Sequence, residues 1–152
     1  MLSLQIEDQK ALMHSLLLED VFDRFFLVRA QVVSFARFDV DGRCLEPDDE
    51  TPDPFVRWLL IRPHIYSLIR GSKAPRSLQI VLRADPKAFS QLPQEGYAFF
   101  LNISYSHASG RMLITTGVSS SAFRPDRSPE RQWEDTMRKF FAGNNLAAAE
   151  LP

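Results

Sequence analysis

Hydrophobic and polar positions alternate in several stretches of this chain and recur at helical spacing in others. Leu2, Leu4 and Ile6 alternate with Ser3 and Gln5, which predicts a short opening strand. Asp8 follows as a helix cap, with Leu12, Leu16 and Leu17 on one face and Met13 beside them. Asp20 restarts a helical turn in which Phe22, Phe25 and Phe26 point inward. Leu27 to Val40 then reads as one long strand. Val28, Ala30, Val32, Ala36, Phe38 and Val40 share one parity, and Arg29, Gln31, Arg37 and Asp39 hold the other. Val33 and Phe35 interrupt the polar parity, so part of that second face is also covered. Asp41-Gly42 predicts a tight hairpin turn, because both residue types tolerate positive φ, and Arg43 to Glu46 returns as a strand.

Pro47 to Pro54 has the composition of a loop. Phe55, Trp58, Leu59, Ile65, Tyr66 and Ile69 are spaced as on a helix, with Pro63 predicting a kink or a second helix start and Gly71 a C-terminal cap. Leu78, Ile80 and Leu82 mark another strand, and Asp85-Pro86 opens a short helix to about Leu92. Tyr97–Ser106 and Arg111–Gly117 form a hairpin around His107–Gly110, and Val118 to Phe123 extends the sheet. Ser128 caps a last helix with Pro129 in its first position. Trp133, Met137, Phe140 and Phe141 form its buried face and Gly143 ends it. These elements predict an α+β fold, with a mostly antiparallel sheet of five to six strands and helices packed on one face. Residues 1–144 make a single domain, and 145–152 are a frayed tail.

Composition narrows the picture. The chain has 152 residues, 45% hydrophobic and 24% charged, which suits one globular domain and excludes a disordered or coiled-coil chain. A single cysteine, Cys44, rules out an internal disulfide and a cysteine-rich zinc module and fits a reducing compartment. The N-terminus carries acids before any long apolar run, so no signal peptide is read there, and no apolar run approaches the ~20 residues of a membrane span. The expected location is the cytoplasm. Net charge is −1, so no global field draws nucleic acid. Locally, seven acids between Asp39 and Pro54 face one base, and six bases between Phe55 and Ala84 face no acid. These segments either neutralise each other on one surface, or the basic one holds an anion.

Several stretches resemble a family of small uncharacterised bacterial proteins, carried mainly by anaerobic Gram-positive bacteria and labelled only as a domain of unknown function. They are Leu4-Gln5-Ile6-Glu7-Asp8, Phe35 to Arg43 (FARFDVDGR), Arg62-Pro63 with Gly71-Ser72-Lys73-Ala74-Pro75, and Thr115-Thr116-Gly117 with the helix that follows. The resemblance runs over about Leu2 to Phe141. It implies a single cytoplasmic bacterial domain and brings no catalytic or binding residue with it.

Chemical motifs are sparse. Placing Gly42 at the sixth position of a calcium loop puts Arg37 where a carboxylate is required, so that motif fails. His14, His64 and His107 lack metal-ligand spacing, and no metal or cofactor site is read. Gly117-Val118-Ser119-Ser120-Ser121 misses the last glycine of a nucleophile elbow. Cys44 lies among acids, which suppress its thiolate. No catalytic residue is assigned, and an enzyme would need a site assembled only in three dimensions. The most specific candidate is Arg70-Gly71-Ser72-Lys73-Ala74-Pro75-Arg76. Three cations at a helix C-terminus offset the negative end of the helix, or hold a phosphate or carboxylate. Arg62, His64, Arg70, Lys73 and Arg76 are the candidate anion-binding residues. The function expected is a non-enzymatic binding or protein-interaction domain; the alternative is a module for a phosphorylated ligand or nucleic acid working through residues 70–76. Partners are therefore a protein or an anionic small molecule, with no membrane and little case for nucleic acid. The Leu27–Val40 strand could also pair with a second copy to give a homodimer.

Overall fold

The computed structural model describes residues 1–46, 54–69, 75–123 and 125–152. The expectations for most of the 47–54 loop, and for Arg70, Gly71 and Lys73, lie outside the described residues. In chain order the elements are β1 (Ser3–Ile6), α1 (Gln9–Leu17), β2 (Phe25–Val33), β3 (Arg37–Asp41), β4 (Val56–Arg57) and α2 (Trp58–Ile69). β5 (Ser77–Ala84), β6 (Tyr97–Ser106), β7 (Arg111–Ser120), α3 (Ser128–Gly143) and β8 (Ala148–Glu150) complete the chain. The fold is mixed α and β, with one antiparallel sheet of eight strands, more than the five or six expected. Strand order is β3-β2-β5-β6-β7-β1-β8, and β4 lies against β2.

Antiparallel register puts facing residues on the same side of the sheet, so apolar residues line up in rows. Ala30, Ile80, Ile103 and Ile114 form one such row, and Leu27, Leu82 and Leu101 another. The buried side chains of all three helices join these rows in a single hydrophobic cluster. The other strand parity is largely polar and half-buried; for β5 it holds Ser77, Gln79, Val81 and Arg83. Phe26 is buried on that side, with the Arg57 guanidinium 5.0 Å from its ring centroid and bonded to Asp85 at 3.1 Å. Stacking a cation on the ring while a carboxylate neutralises it makes this burial tolerable.

Several local expectations are corrected. The single strand Leu27–Val40 is a hairpin, β2 and β3, turning at Ser34–Ala36 with Ser34 N–H bonded to Ala36 O at 2.9 Å. Even-numbered residues pair with even-numbered ones across it (Val32 with Phe38, Ala30 with Val40), so the alternation runs through the turn unbroken. Asp41-Gly42 is no hairpin turn. Gly42 passes so close to β2 that an added Cβ would lie 1.8 Å from the Leu27 carbonyl oxygen. It crosses β2 at the irregularity between Leu27 and Arg29, and its N–H bonds Val28 O at 3.0 Å. The glycine is required by close approach, not by φ. Arg43 to Glu46 contributes only an isolated bridge, from Arg43 to Phe55.

Phe25 and Phe26 belong to β2, not to a helical turn, and therefore point to opposite faces. α2 runs through Pro63 as one helix. Near its start, the proline forfeits a single intrahelical bond, the one to the carbonyl of the half-exposed Leu59. Pro86 to Leu92 forms turns instead of a helix, with Asp85 accepting from the Lys87 N–H at 3.0 Å. Arg127, not Ser128, occupies the cap position of α3, and Asp126 accepts both the N–H and the hydroxyl of Ser128. The 145–152 segment is no frayed tail. β8 pairs with β1, Leu146 is buried, and Glu150 accepts from Arg138 of α3 at 2.8 Å.

Candidate binding cavity

The floor of the site is a row across three strands. Leu78 of β5 faces Tyr105 of β6, which faces Met112 of β7. α1 forms one wall with Met13 and Leu17, continued by Leu18 just past its end, and α2 forms another with Tyr66 and Ile69. Pro75 closes the side that leads into β5. These residues surround a cavity of about 380 Å³.

Local sequence sets these walls. The Asp8 carboxylate accepts the Ala11 N–H at 3.1 Å and fixes where α1 begins. The Gln9 amide donates to the Gly110 carbonyl at 2.7 Å, tying that start to the β6–β7 turn. Gly110 supplies the positive φ (66°) that this turn needs. At the other end of α1, the Trp58 indole N–H donates to the Leu16 carbonyl at 2.8 Å, pinning the start of α2 there. Tyr66 and Ile69 lie roughly two and three turns further along α2 and reach the cavity.

The polar groups of the lining are Gln9, Lys10 and His14, all on α1, and the two tyrosine hydroxyls. His14 Nδ1 lies 3.2 Å from Glu19 Oε1, and the Ser15 hydroxyl donates to the same oxygen at 3.1 Å. The bonds from His14 and then Ser15 hold the Glu19 carboxyl below its ordinary value. An apolar body with a few polar groups at one edge is the usual make-up of a small-molecule site. Among the described residues, nothing in the lining pairs a nucleophile with a base.

The residues singled out as anion-binding do not come together here. Arg62 faces Asp23 at 3.6 Å, and both side chains are mostly buried. Desolvation raises the Asp23 carboxyl, with Arg62 opposing it, and Asp23 Oδ1 and Arg62 Nη1 are both buried without a hydrogen-bond partner. Arg62 is thus already engaged by a carboxylate. His64 is exposed on α2. Arg76 is exposed too, and its main chain bridges strands through Val33 O at 2.7 Å and His107 N at 2.9 Å. Arg70 and Lys73 lie outside the described residues. Among the described residues, no group of three His, Cys, Asp or Glu could hold a metal ion, and no helix is long and apolar enough to cross a membrane.

Sequence reasoning passed over most of the cavity. Met13 was placed beside the buried face of α1, and Tyr105 and Met112 only within their strands. The available signal was Leu18, which follows Leu16 and Leu17 and widens the apolar stripe beyond what the core uses; it is 51% exposed.

No curated protein matches the chain, and no solved structure matches it. One family model does, over residues 15–148, from within α1 to the start of β8, in agreement with the motif resemblance. On that match the chain belongs to the family described as a family of unknown function (DUF5721).

Proposed function

We propose that this protein is a non-enzymatic binding protein that takes a small, largely apolar molecule into the cavity between α1, α2 and β5–β7. One observation carries the reading: a cavity of about 380 Å³ with an apolar floor and walls. Small-molecule sites span roughly 300–1,000 Å³ with a similar lining. Met13 and Met112 add side chains that adapt to different shapes. The test is calorimetric titration with a panel of alkyl and aryl compounds. Saturable one-to-one binding is expected, abolished by Met13→Glu in a variant whose melting temperature stays near that of the parent. Failure of every compound to saturate, or undiminished binding by Met13→Glu, would sink the reading.

A second reading keeps the anion expectation for residues 70–76. Ile69 and Pro75, on either side of Arg70 to Ala74 in sequence, both line the cavity, which favours it. Phosphate should then raise the melting temperature, and the double change Arg70→Ala, Lys73→Ala should remove that shift. An unchanged shift in the double variant would exclude this segment.

A further inference from the structure

The charged side chains of the cavity bear on what it holds. Lys10 and His14 are one turn apart on α1, so they share a face, and both line the cavity. Among the described residues, no carboxylate lines it. Among the described residues Lys10 has no ion pair. Glu19 occupies Nδ1 of His14, which orients the ring and leaves Nε2 as the nitrogen open to a ligand. Ser15 holds Glu19 through the same carboxylate oxygen, so the orienting group is itself fixed.

We infer that the cavity takes an amphipathic carboxylate, its apolar body against Leu78, Tyr105 and Met112 and its acid group at Lys10, on the α1 face that also carries His14. The inference rests on the cavity being a binding site, as proposed above. The Lys10 ammonium complements an anion, and among the described residues the lining offers no acid to repel it. Lys10 and His14 lie at the solvent edge, with the His14 side chain 60% exposed, so the acid group keeps part of its hydration and the desolvation cost stays small. The apolar floor supplies affinity, and Lys10 supplies the preference for an acid over a neutral analogue.

The experiment compares octanoate with octan-1-ol by calorimetry at one pH and ionic strength. Octanoate should bind more tightly. Lys10→Met should weaken octanoate about two- to five-fold, the size expected of an exposed ion pair, and leave octan-1-ol unchanged. Lys139→Met, a change on α3 outside this cavity, should affect neither. If both compounds bind equally and neither responds to Lys10→Met, the acid preference is overturned while the cavity still stands as a site. If neither compound binds, both conclusions fall.

Discussion

Around α3, the rings of Phe25, Phe89 and Phe99 close on Trp133 with centroids 5.4 to 6.3 Å away. Phe22 adds edge contacts to Phe140 at 5.3 Å, and the Trp133 indole donates to the Phe100 carbonyl at 2.9 Å. At the opposite end of the same strands, Leu78, Tyr105 and Met112 meet α1 and α2 around a cavity of about 380 Å³. Both ends are apolar, so hydrophobicity alone does not separate them. Shape does. Large rigid rings packed edge to face close around Trp133, which is fully buried. Met13 and Leu17 of a nine-residue helix stand instead around an open space. If the proposed function holds, the two ends divide the labour: the aromatic end carries much of the stability and the other end takes the ligand.

The largest effect should come from the packed end. Trp133→Ala leaves a void and removes the bond to the Phe100 carbonyl, and should cost about 3–5 kcal/mol in urea unfolding. A cost under about 1 kcal/mol would break the comparison, because such a site could collapse as easily as the cavity.

Overpacking sharpens it next. Ala84→Leu, opposite Phe25, should cost about 1–3 kcal/mol, since both side chains are buried in the core. Met13→Phe, at the cavity, should stay within about 1 kcal/mol of the parent and reduce ligand affinity. Equal losses from the two changes would show that the cavity end is as rigid as the other.

Asp8→Ala removes the cap of α1, the helix that carries Lys10, Met13 and His14. It should cost about 1 kcal/mol and speed hydrogen exchange in α1 while leaving α3 protected. Exchange rising equally in both helices would mean that the two ends unfold as one unit.

The smallest effect concerns pH. Burial raises Asp23, so the folded chain binds that proton more tightly than the unfolded one. Its contribution to stability is complete below the unfolded value and is lost as pH rises through the folded value. Glu19 and Glu150 are lowered by their partners, so their contributions run the other way and are lost in acid. Asp23→Asn should therefore flatten the fall in stability on the alkaline side of the ordinary carboxyl range, measured by urea midpoints from pH 4 to 7. An unchanged slope would remove Asp23 from the account.

Much of this architecture could be read from residues a few positions apart. Alternation in Leu78, Ile80 and Leu82 located β5. The His107–Gly110 turn located the β6–β7 hairpin, and the spacing of Trp133, Met137, Phe140 and Phe141 located α3. These patterns hold because a strand repeats every two residues and a helix about every 3.6, whatever lies across from them. Patterns of this kind misled where two structures share them. The β2–β3 hairpin keeps its parity through Ser34–Ala36, so it reads as one strand. Asp41-Gly42 has turn chemistry, but the glycine serves a close approach to Leu27.

Within the candidate site, Asp8, Leu17 and Met13 were visible as parts of α1, while the cavity was not. Its floor joins Leu78, Tyr105 and Met112 from three strands, and its volume depends on how far two helices stand from that row. The same holds for Arg62, whose partner Asp23 lies on a separate turn. It holds as well for β1, which pairs with β7 and β8 from the far end of the chain. The sequence by itself determined which residues turn inward, because local geometry dictates that. Only the tertiary structure decided which inward faces meet, which charges are spent on each other, and where the packing leaves a space.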